Sequence, residues 1–122
     1  MFPKIKRLDQ YSHLSPMAIP KVSDFYAFDE IIKENKDLVV FFSAVWCGPC
    51  KKARTALEQL VHKYPHVRFI EVDVDENERA AQFTDVTSLP ETIAYKYGRG
   101  YPLGAVTTSE GFDSYLSQYF GG

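Results

Sequence analysis

Two cysteines, Cys47 and Cys50, are the residues of this sequence whose type and spacing point most directly to chemistry. They are the only cysteines in the 122-residue chain. A disulfide between them would close a very short loop, so it would remove little entropy from the unfolded chain and stabilise the fold poorly. Two cysteines are also too few for a four-cysteine zinc site. The pair is therefore better explained by thiol chemistry than by a structural role.

The surroundings of the pair predict a different role for each thiol. The pair follows an apolar run, residues 38–42, and precedes a segment whose apolar residues repeat at helical spacing. A helix that begins here offers unpaired N–H groups and the positive end of its dipole, and both favour a thiolate at Cys47. Gly48 permits a tight turn, and Pro49 is tolerated in a first helical turn. We therefore predict that Cys47 attacks a partner's disulfide and that the less exposed Cys50 resolves the mixed disulfide.

The composition excludes several other classes of function. The chain is 45% hydrophobic and 25% charged, which is typical of one globular domain. Its formal net charge of -2 provides no basic surface for nucleic acid. The apolar run at residues 38–42 is far shorter than the roughly 20 residues that span a bilayer, so we expect no membrane span. His13, His62 and His66 lack metal-ligand spacing, and we expect no metal site.

The hydrophobic pattern predicts an N-terminal extension, residues 1–17, and one α/β domain, residues 18–122. The extension is interpreted as a flexible arm, with a weak organelle-targeting helix as the alternative. In the domain, predicted strands and helices alternate and end in a hairpin and a helix. The predicted elements are strand 18–22, a helix capped by Ser23 or Asp24, strand 38–42, a helix whose first turn contains Pro49 and Cys50, strand 67–74, helix 76–83, strands 91–97 and 101–106, and a helix around 112–120. Such alternation predicts a mixed β-sheet of about five strands, sandwiched by about four helices.

Several landmarks then resemble the thioredoxin family. The segment Trp46-Cys47-Gly48-Pro49-Cys50-Lys51 is similar to the family's active-site signature. Further landmarks follow at compatible spacing: Val74-Asp75-Glu76-Asn77 resembles the turn after the third strand, Leu89-Pro90 the cis-proline position facing the dithiol, Lys96-Tyr97-Gly98 the hairpin turn, and Gly104-Ala105 the glycine-containing end of the last strand. The resemblance extends from about residue 18 to the C-terminus, and it implies a thioredoxin-like fold.

The resemblance also implies a protein-disulfide reductase that works by dithiol/disulfide exchange. Its reacting group is the Cys47–Cys50 disulfide, with no bound cofactor. The implied partners are disulfide-containing proteins and a recharging enzyme similar to thioredoxin reductase, with the chain acting as a monomer. The implied substrate groove is lined by Trp46, Gly48, Pro49, Leu89, Pro90, Gly104 and Ala105. A thiol oxidase or isomerase with the same dithiol is an alternative, and so is a docking module that retains the dithiol.

We expect the compartment to be the cytoplasm, because the sequence begins with no secretory signal and a reducing compartment suits a disulfide reductase. The alternative is the mitochondrion or another organelle, reached through residues 1–17.

Four positions depart from the family pattern. Phe41 stands where the family carries a buried aspartate, six residues before the first cysteine, and Glu71 corresponds to the lysine that accompanies that aspartate. Glu91 replaces the usual threonine after the cis-proline, and Thr55 replaces the proline that kinks the active-site helix. The dithiol and the groove therefore match the family, whereas the proton-handling pair does not.

Two of these departures carry hypotheses about mechanism. Glu71 is a candidate general base beneath Cys50, acting directly or through one water. In the alternative, Glu71 turns outward or pairs with a cation such as Lys36 or Arg68, and water takes the proton. Glu91 adds a negative charge beside the groove and is expected to favour basic substrates. The alternative for Glu91 is a solvent-facing strand residue.

Overall fold

A fully buried strand forms the centre of the sheet. The computed structural model describes residues 18–121, in which β1 (Asp37–Ser43) is buried at every position. Strand β1 pairs in parallel with β2 (Arg68–Asp73) and antiparallel with β3 (Glu91–Lys96). Strand β4 (Arg99–Gly104) pairs antiparallel with β3, so the strand order is β2-β1-β3-β4. The predicted mixed sheet is therefore confirmed.

Helices cover both faces of this sheet. Within the described residues they are α1 (Phe25–Glu34), α2 (Gly48–Glu58), α3 (Glu78–Phe83) and α4 (Ser109–Phe120), with a short 3-10 helix at Val61–Lys63. One buried cluster contains residues of α2 and α4, and the other contains residues of α1 and α3. The prediction of about four helices on the two faces of the sheet is confirmed.

Side-chain caps mark the starts of three helices and are missing at the fourth. Asp24, Asn77 and Thr108 each accept a hydrogen bond from a backbone N–H in the first turn of α1, α3 and α4 respectively. Such caps satisfy N–H groups that have no partner within the helix. The N-cap residue of α2 is Cys47, and its side chain makes no capping hydrogen bond. The N–H groups in the first turn of α2 therefore receive no side-chain cap from the N-cap residue.

The predicted fifth strand, 18–22, needs correction. Its pairing with β2 is reduced to a single parallel bridge between Lys21 and Glu71. The Glu71 N–H donates to the carbonyl of Pro20 at 2.8 Å, and the Val22 N–H donates to the carbonyl of Glu71 at 2.9 Å. Pro20 has no N–H to continue the ladder, so the pairing cannot extend toward the N-terminus. At the other end, the Val22 carbonyl accepts from Nδ2 of Asn77 instead of from β2.

The predicted extension, residues 1–17, and the organelle-targeting helix considered for it lie outside the described residues. Between residues 18 and 121, none of the helices combines the length and the apolar character that crossing a membrane requires.

Candidate active site

The two cysteines form a disulfide at the start of α2. Their Cα atoms are 5.4 Å apart. Cys47 exposes 5% of its surface and Cys50 exposes 0%, so Cys47 is the more exposed of the two. A partner's sulfur can therefore approach Cys47 more readily than Cys50.

The backbone at this helix start suits an anionic sulfur. Cys47 occupies the N-cap position in an extended conformation, and a proline stands within the first two helical positions. Pro49 contributes no N–H, but the remaining N–H groups of the first turn have no side-chain cap. Together with the helix dipole, they favour negative charge on Cys47 once the disulfide is reduced.

An exposed indole stands beside the disulfide. Trp46 exposes 70% of its surface, and its Nε1–H donates to Oδ2 of Asp75 at 2.8 Å. The loop that carries Asp75 is itself held by Asp73, whose Oδ1 accepts from the Asp75 N–H at 2.8 Å. Asp75 was predicted to lie in a turn, but no local pattern indicates its contact with Trp46, because the two residues lie 29 positions apart. The turn after β2 therefore orients the indole at the rim of the site.

A small cavity is lined by two of the predicted groove residues, Trp46 and Leu89. Its volume is about 170 Å³, and it is lined by Trp46, Val74, Val86, Thr87, Ser88 and Leu89. The Leu89–Pro90 peptide bond is cis, as the resemblance implies, and Pro90 is buried. Trp46 and Leu89 were predicted groove residues, whereas segment 86–88 was missed because no motif marks it.

The other predicted groove residues do not line this cavity. Gly48 and Pro49 are exposed residues of the first turn of α2. Gly104 ends β4, where it pairs with Thr92 of β3, and Ala105 follows it as an exposed residue.

The carboxylate of Glu91 is held by the backbone of the hairpin. Its Oε2 accepts from the N–H of Gly104 at 2.8 Å and from the N–H of Thr92 at 3.0 Å. Between Thr92 and Ile93 the register with β4 shifts. The Glu91 side chain is half-buried and turns toward β4, so the charge lies next to Gly104 rather than projecting freely into solvent.

Glu71 carries a buried charge on the face of the sheet that α2 covers. It exposes 1% of its surface, and its carboxylate accepts from Oγ of Ser43 at 2.6 Å. Nη2 of Arg54 donates to Oε2 at 2.6 Å, and Nε of Arg54 donates to Oε1 at 3.0 Å. Both carboxylate oxygens are therefore occupied, and the cation paired with Glu71 is Arg54 rather than Lys36 or Arg68.

Arg54 links this carboxylate to the active-site helix. The hydrogen bond with Glu71 raises the pKa of the Arg54 guanidinium above its ordinary value, which keeps it charged. Its guanidinium carbon lies 5.8 Å from the ring centroid of Phe41, the residue that replaces the family's buried aspartate. Burial raises the pKa of the neighbouring Glu58 carboxyl, and Arg54 opposes that shift. Arg54 was not among the predicted site residues, although it follows Cys50 by one helical turn.

Comparisons with known proteins agree with this geometry. The family model described as Thioredoxin matches residues 20–118. The mitochondrial Thioredoxin-3 of Saccharomyces cerevisiae is 39% identical over 94 residues, which cover 75% of this chain and 74% of that protein.

Solved structures are similar over a larger share of the chain. The oxidised form of mitochondrial thioredoxin 3 from Saccharomyces cerevisiae has a TM-score of 0.70 at 34% identity, covering 84% of this chain and 93% of that one. Another structure concerns the thiol-resolving mechanism of yeast mitochondrial 1-Cys peroxiredoxin via the glutathione and thioredoxin systems. Its TM-score is 0.72 at 32% identity, and it covers 88% of this chain and 98% of that one.

The pairing of Glu71 predicts how the fold responds to loss of Arg54. Arg54→Met leaves a carboxylate unpaired in the interior, so we expect the free energy of unfolding to fall by about 3 kcal/mol. The double variant Arg54→Met/Glu71→Leu removes both charges and is expected to recover most of that loss. Urea unfolding of the oxidised proteins at neutral pH measures both values. If Arg54→Met unfolds at the wild-type urea concentration, the pair does not stabilise the fold.

Proposed function

This chain belongs to the thioredoxin family, and we propose that it reduces protein disulfides with Cys47 as the attacking thiol and Cys50 as the resolving thiol. The observation that carries the proposal is the Cys47–Cys50 disulfide at the uncapped start of α2. The chain is a thiol-disulfide oxidoreductase, and its redox-active group is made from its own side chains.

The proposed cycle has two exchange steps. The Cys47 thiolate attacks one sulfur of a partner's disulfide, a mixed disulfide forms, and the other partner sulfur leaves with the electron pair of the broken bond. Cys50 then loses its proton and attacks Sγ of Cys47, which releases the second partner sulfur as a thiolate. The products are the reduced partner and the disulfide form of this protein, which two electrons and two protons return to the dithiol.

We assign the recharging step to an enzyme similar to thioredoxin reductase. The substrates are disulfide-containing proteins, which an isolated monomer can bind as extended segments along Trp46, Gly48, Pro49, Leu89, Pro90, Gly104 and Ala105. A 1-Cys peroxiredoxin is a specific substrate to assay, because one of the matched structures concerns the resolution of such a protein.

The compartment is part of the proposal. The cytoplasm was expected from the sequence, and the mitochondrial alternative gains support from the Saccharomyces relative, whose name places that protein in mitochondria. Fluorescent fusions of residues 1–122 and 18–122 separate the two. Mitochondrial fluorescence that requires residues 1–17 supports the organelle, and cytoplasmic fluorescence from both fusions rejects it.

For the resolving step, we propose that water accepts the proton of Cys50. The general-base hypothesis for Glu71 requires a carboxylate oxygen that can accept that proton. In this structure Arg54 and Ser43 already donate hydrogen bonds to the carboxylate. This arrangement favours Glu71 as an ion-pair partner over Glu71 as a base.

Replacing Cys47 and replacing Cys50 are expected to block different steps of the cycle. Cys47→Ser abolishes insulin reduction because no thiolate remains to attack, whereas Cys50→Ser accumulates a mixed disulfide that nothing resolves. Turnover with NADPH and a thioredoxin reductase measures activity, and mass spectrometry of the acid-quenched protein measures the trapped adduct. Alkylation of Cys50 before Cys47 in the reduced protein at neutral pH would reverse these roles.

Glu91 is expected to bias the choice of substrate. Glu91→Gln keeps an oxygen that can accept from the Gly104 N–H but removes the charge, and Glu91→Thr removes both. We expect each variant to improve reduction of an acidic disulfide peptide relative to a basic one by up to about fivefold, the size of a surface charge interaction. Values of kcat/KM for the two peptides give the ratio. An unchanged ratio in Glu91→Gln would mean that the charge does not select substrates.

A further inference from the structure

A buried hydroxyl without a partner in the described part of the chain lies near the start of β3. Thr92 exposes 1% of its surface, and its Oγ1 has no hydrogen-bond partner within residues 18–121. Oδ1 of Asp37 is also buried without a hydrogen-bond partner among these residues, but it forms an ion pair with Nζ of Lys96 at 2.9 Å. Leaving a buried hydroxyl unpaired costs about 1–3 kcal/mol, so the Thr92 hydroxyl calls for an explanation.

The alternation of β3 places this hydroxyl on the side of the sheet that holds the dithiol. Ile93 and Tyr95 belong to the buried cluster beneath α1 and α3. Ala94 belongs to the opposite cluster, together with Cys47 and Cys50. Because side chains alternate along a strand, Thr92 points to the same face as Ala94.

Two further relations place Thr92 next to the buried cluster that contains the disulfide. Its cross-strand partner on β1 is Phe41, which belongs to the same buried cluster as Cys50. Pro90, at the cis-proline position, is buried two residues before Thr92 in the chain. Thr92 is thus paired with Phe41, which occupies the position where the resemblance implies a buried aspartate.

We propose that the Thr92 hydroxyl donates a hydrogen bond to the sulfur of Cys50 once that sulfur has become a thiolate. This inference deepens the proposed function and rests on it, because it assigns a residue to the resolving step. A disulfide sulfur is a weak acceptor, whereas a thiolate is a strong one. The hydroxyl therefore loses its partner when the disulfide closes, and the oxidised structure shows it unpartnered.

In the resolving step, the Cys50 thiol gives its proton to water, and the Thr92 hydroxyl stabilises the thiolate that results. The thiolate then supplies the electron pair for the bond to Sγ of Cys47, and the bond between Cys47 and the partner breaks. The partner sulfur leaves as a thiolate with the electron pair of the broken bond. Thr92 keeps its own proton throughout, so it acts as a hydrogen-bond donor and not as a base.

A bond that exists only in the reduced protein changes the redox equilibrium. It stabilises the reduced form in which Cys50 is a thiolate, so at a pH where Cys50 ionises its removal must shift the equilibrium toward the disulfide. A hydroxyl with only a structural role would affect the two forms equally and would leave the equilibrium unchanged. The reduction potential therefore separates the two roles.

The test compares Thr92→Val, which is nearly isosteric and has no hydroxyl, with Thr92→Ser, which retains one. Each protein is equilibrated at about pH 9.5, above the ordinary thiol pKa of about 8.5, with a small dithiol/disulfide buffer of known potential, and the reduced fraction is measured by alkylation and mass spectrometry. We expect Thr92→Val to favour the disulfide about tenfold more than wild type, which corresponds to a potential about 30 mV more negative. Thr92→Ser is expected to stay close to wild type, and resolution of a mixed disulfide is expected to slow about tenfold in Thr92→Val alone.

An unchanged potential in Thr92→Val, with oxidised and reduced forms stabilised equally, would overturn the inference. If Thr92→Val does not fold, Thr92→Ala provides the same comparison. The buffer equilibrium needs no partner protein and no reductase. A wild-type protein that fails to reduce insulin would therefore contradict the proposed function without deciding the role of Thr92.

Discussion

The buried charge of Glu71 is the constraint on which the arrangement of the site depends. A carboxylate that exposes 1% of its surface must be neutralised where it stands, and the cation comes from α2. Two guanidinium nitrogens of Arg54 donate hydrogen bonds to the carboxylate, and the hydroxyl of Ser43 on β1 donates another. The contact therefore connects β2, β1 and the active-site helix at one point. It fixes α2 over the sheet one helical turn after Cys50.

The position at which α2 begins determines where the dithiol lies. Strand β1 ends at Ser43, and the chain enters α2 through Cys47 without a side-chain cap. The uncapped N–H groups stand at the helix start that carries Cys47, the proposed attacking thiol, and the cis-proline position immediately precedes the neighbouring strand β3. Polar groups beneath the dithiol stand on both sides of Phe41, with Glu71 opposite it on β2 and Thr92 opposite it on β3. In this protein an aromatic ring occupies the place of the family's acid, and polar side chains flank it.

Much of the fold could be predicted because its signals are local. Apolar runs and helical periodicity indicated the central strands and the four helices, and the spacing of Cys47 and Cys50 indicated the chemistry. The position of the cis bond at Leu89–Pro90 came from the resemblance rather than from any local physical rule.

The remaining features depend on contacts between distant segments. Arg54 and Glu71 lie 17 residues apart on different elements, and no pattern in either segment indicates that they meet. Glu91 turns toward Gly104 because the register shift on β3 leaves that N–H to be satisfied by a side chain. The predicted strand 18–22 shortens to one bridge because Pro20 cannot donate to β2, although the sequence showed the proline.

The central claim is that the Glu71 carboxylate forms an ion pair with Arg54 and takes no part in the dithiol chemistry. The most direct measurement is the rate at which a preformed mixed disulfide on Cys47 is resolved, followed across pH in wild type and in Arg54→Gln/Glu71→Gln. The double variant removes both charges and keeps neutral groups that can hydrogen-bond to each other. The account predicts resolution rates within about twofold of wild type and the same pH profile, because water accepts the proton in both proteins. A loss of about tenfold or more, with a changed pH profile, would show that Glu71 acts as the base and would contradict the account.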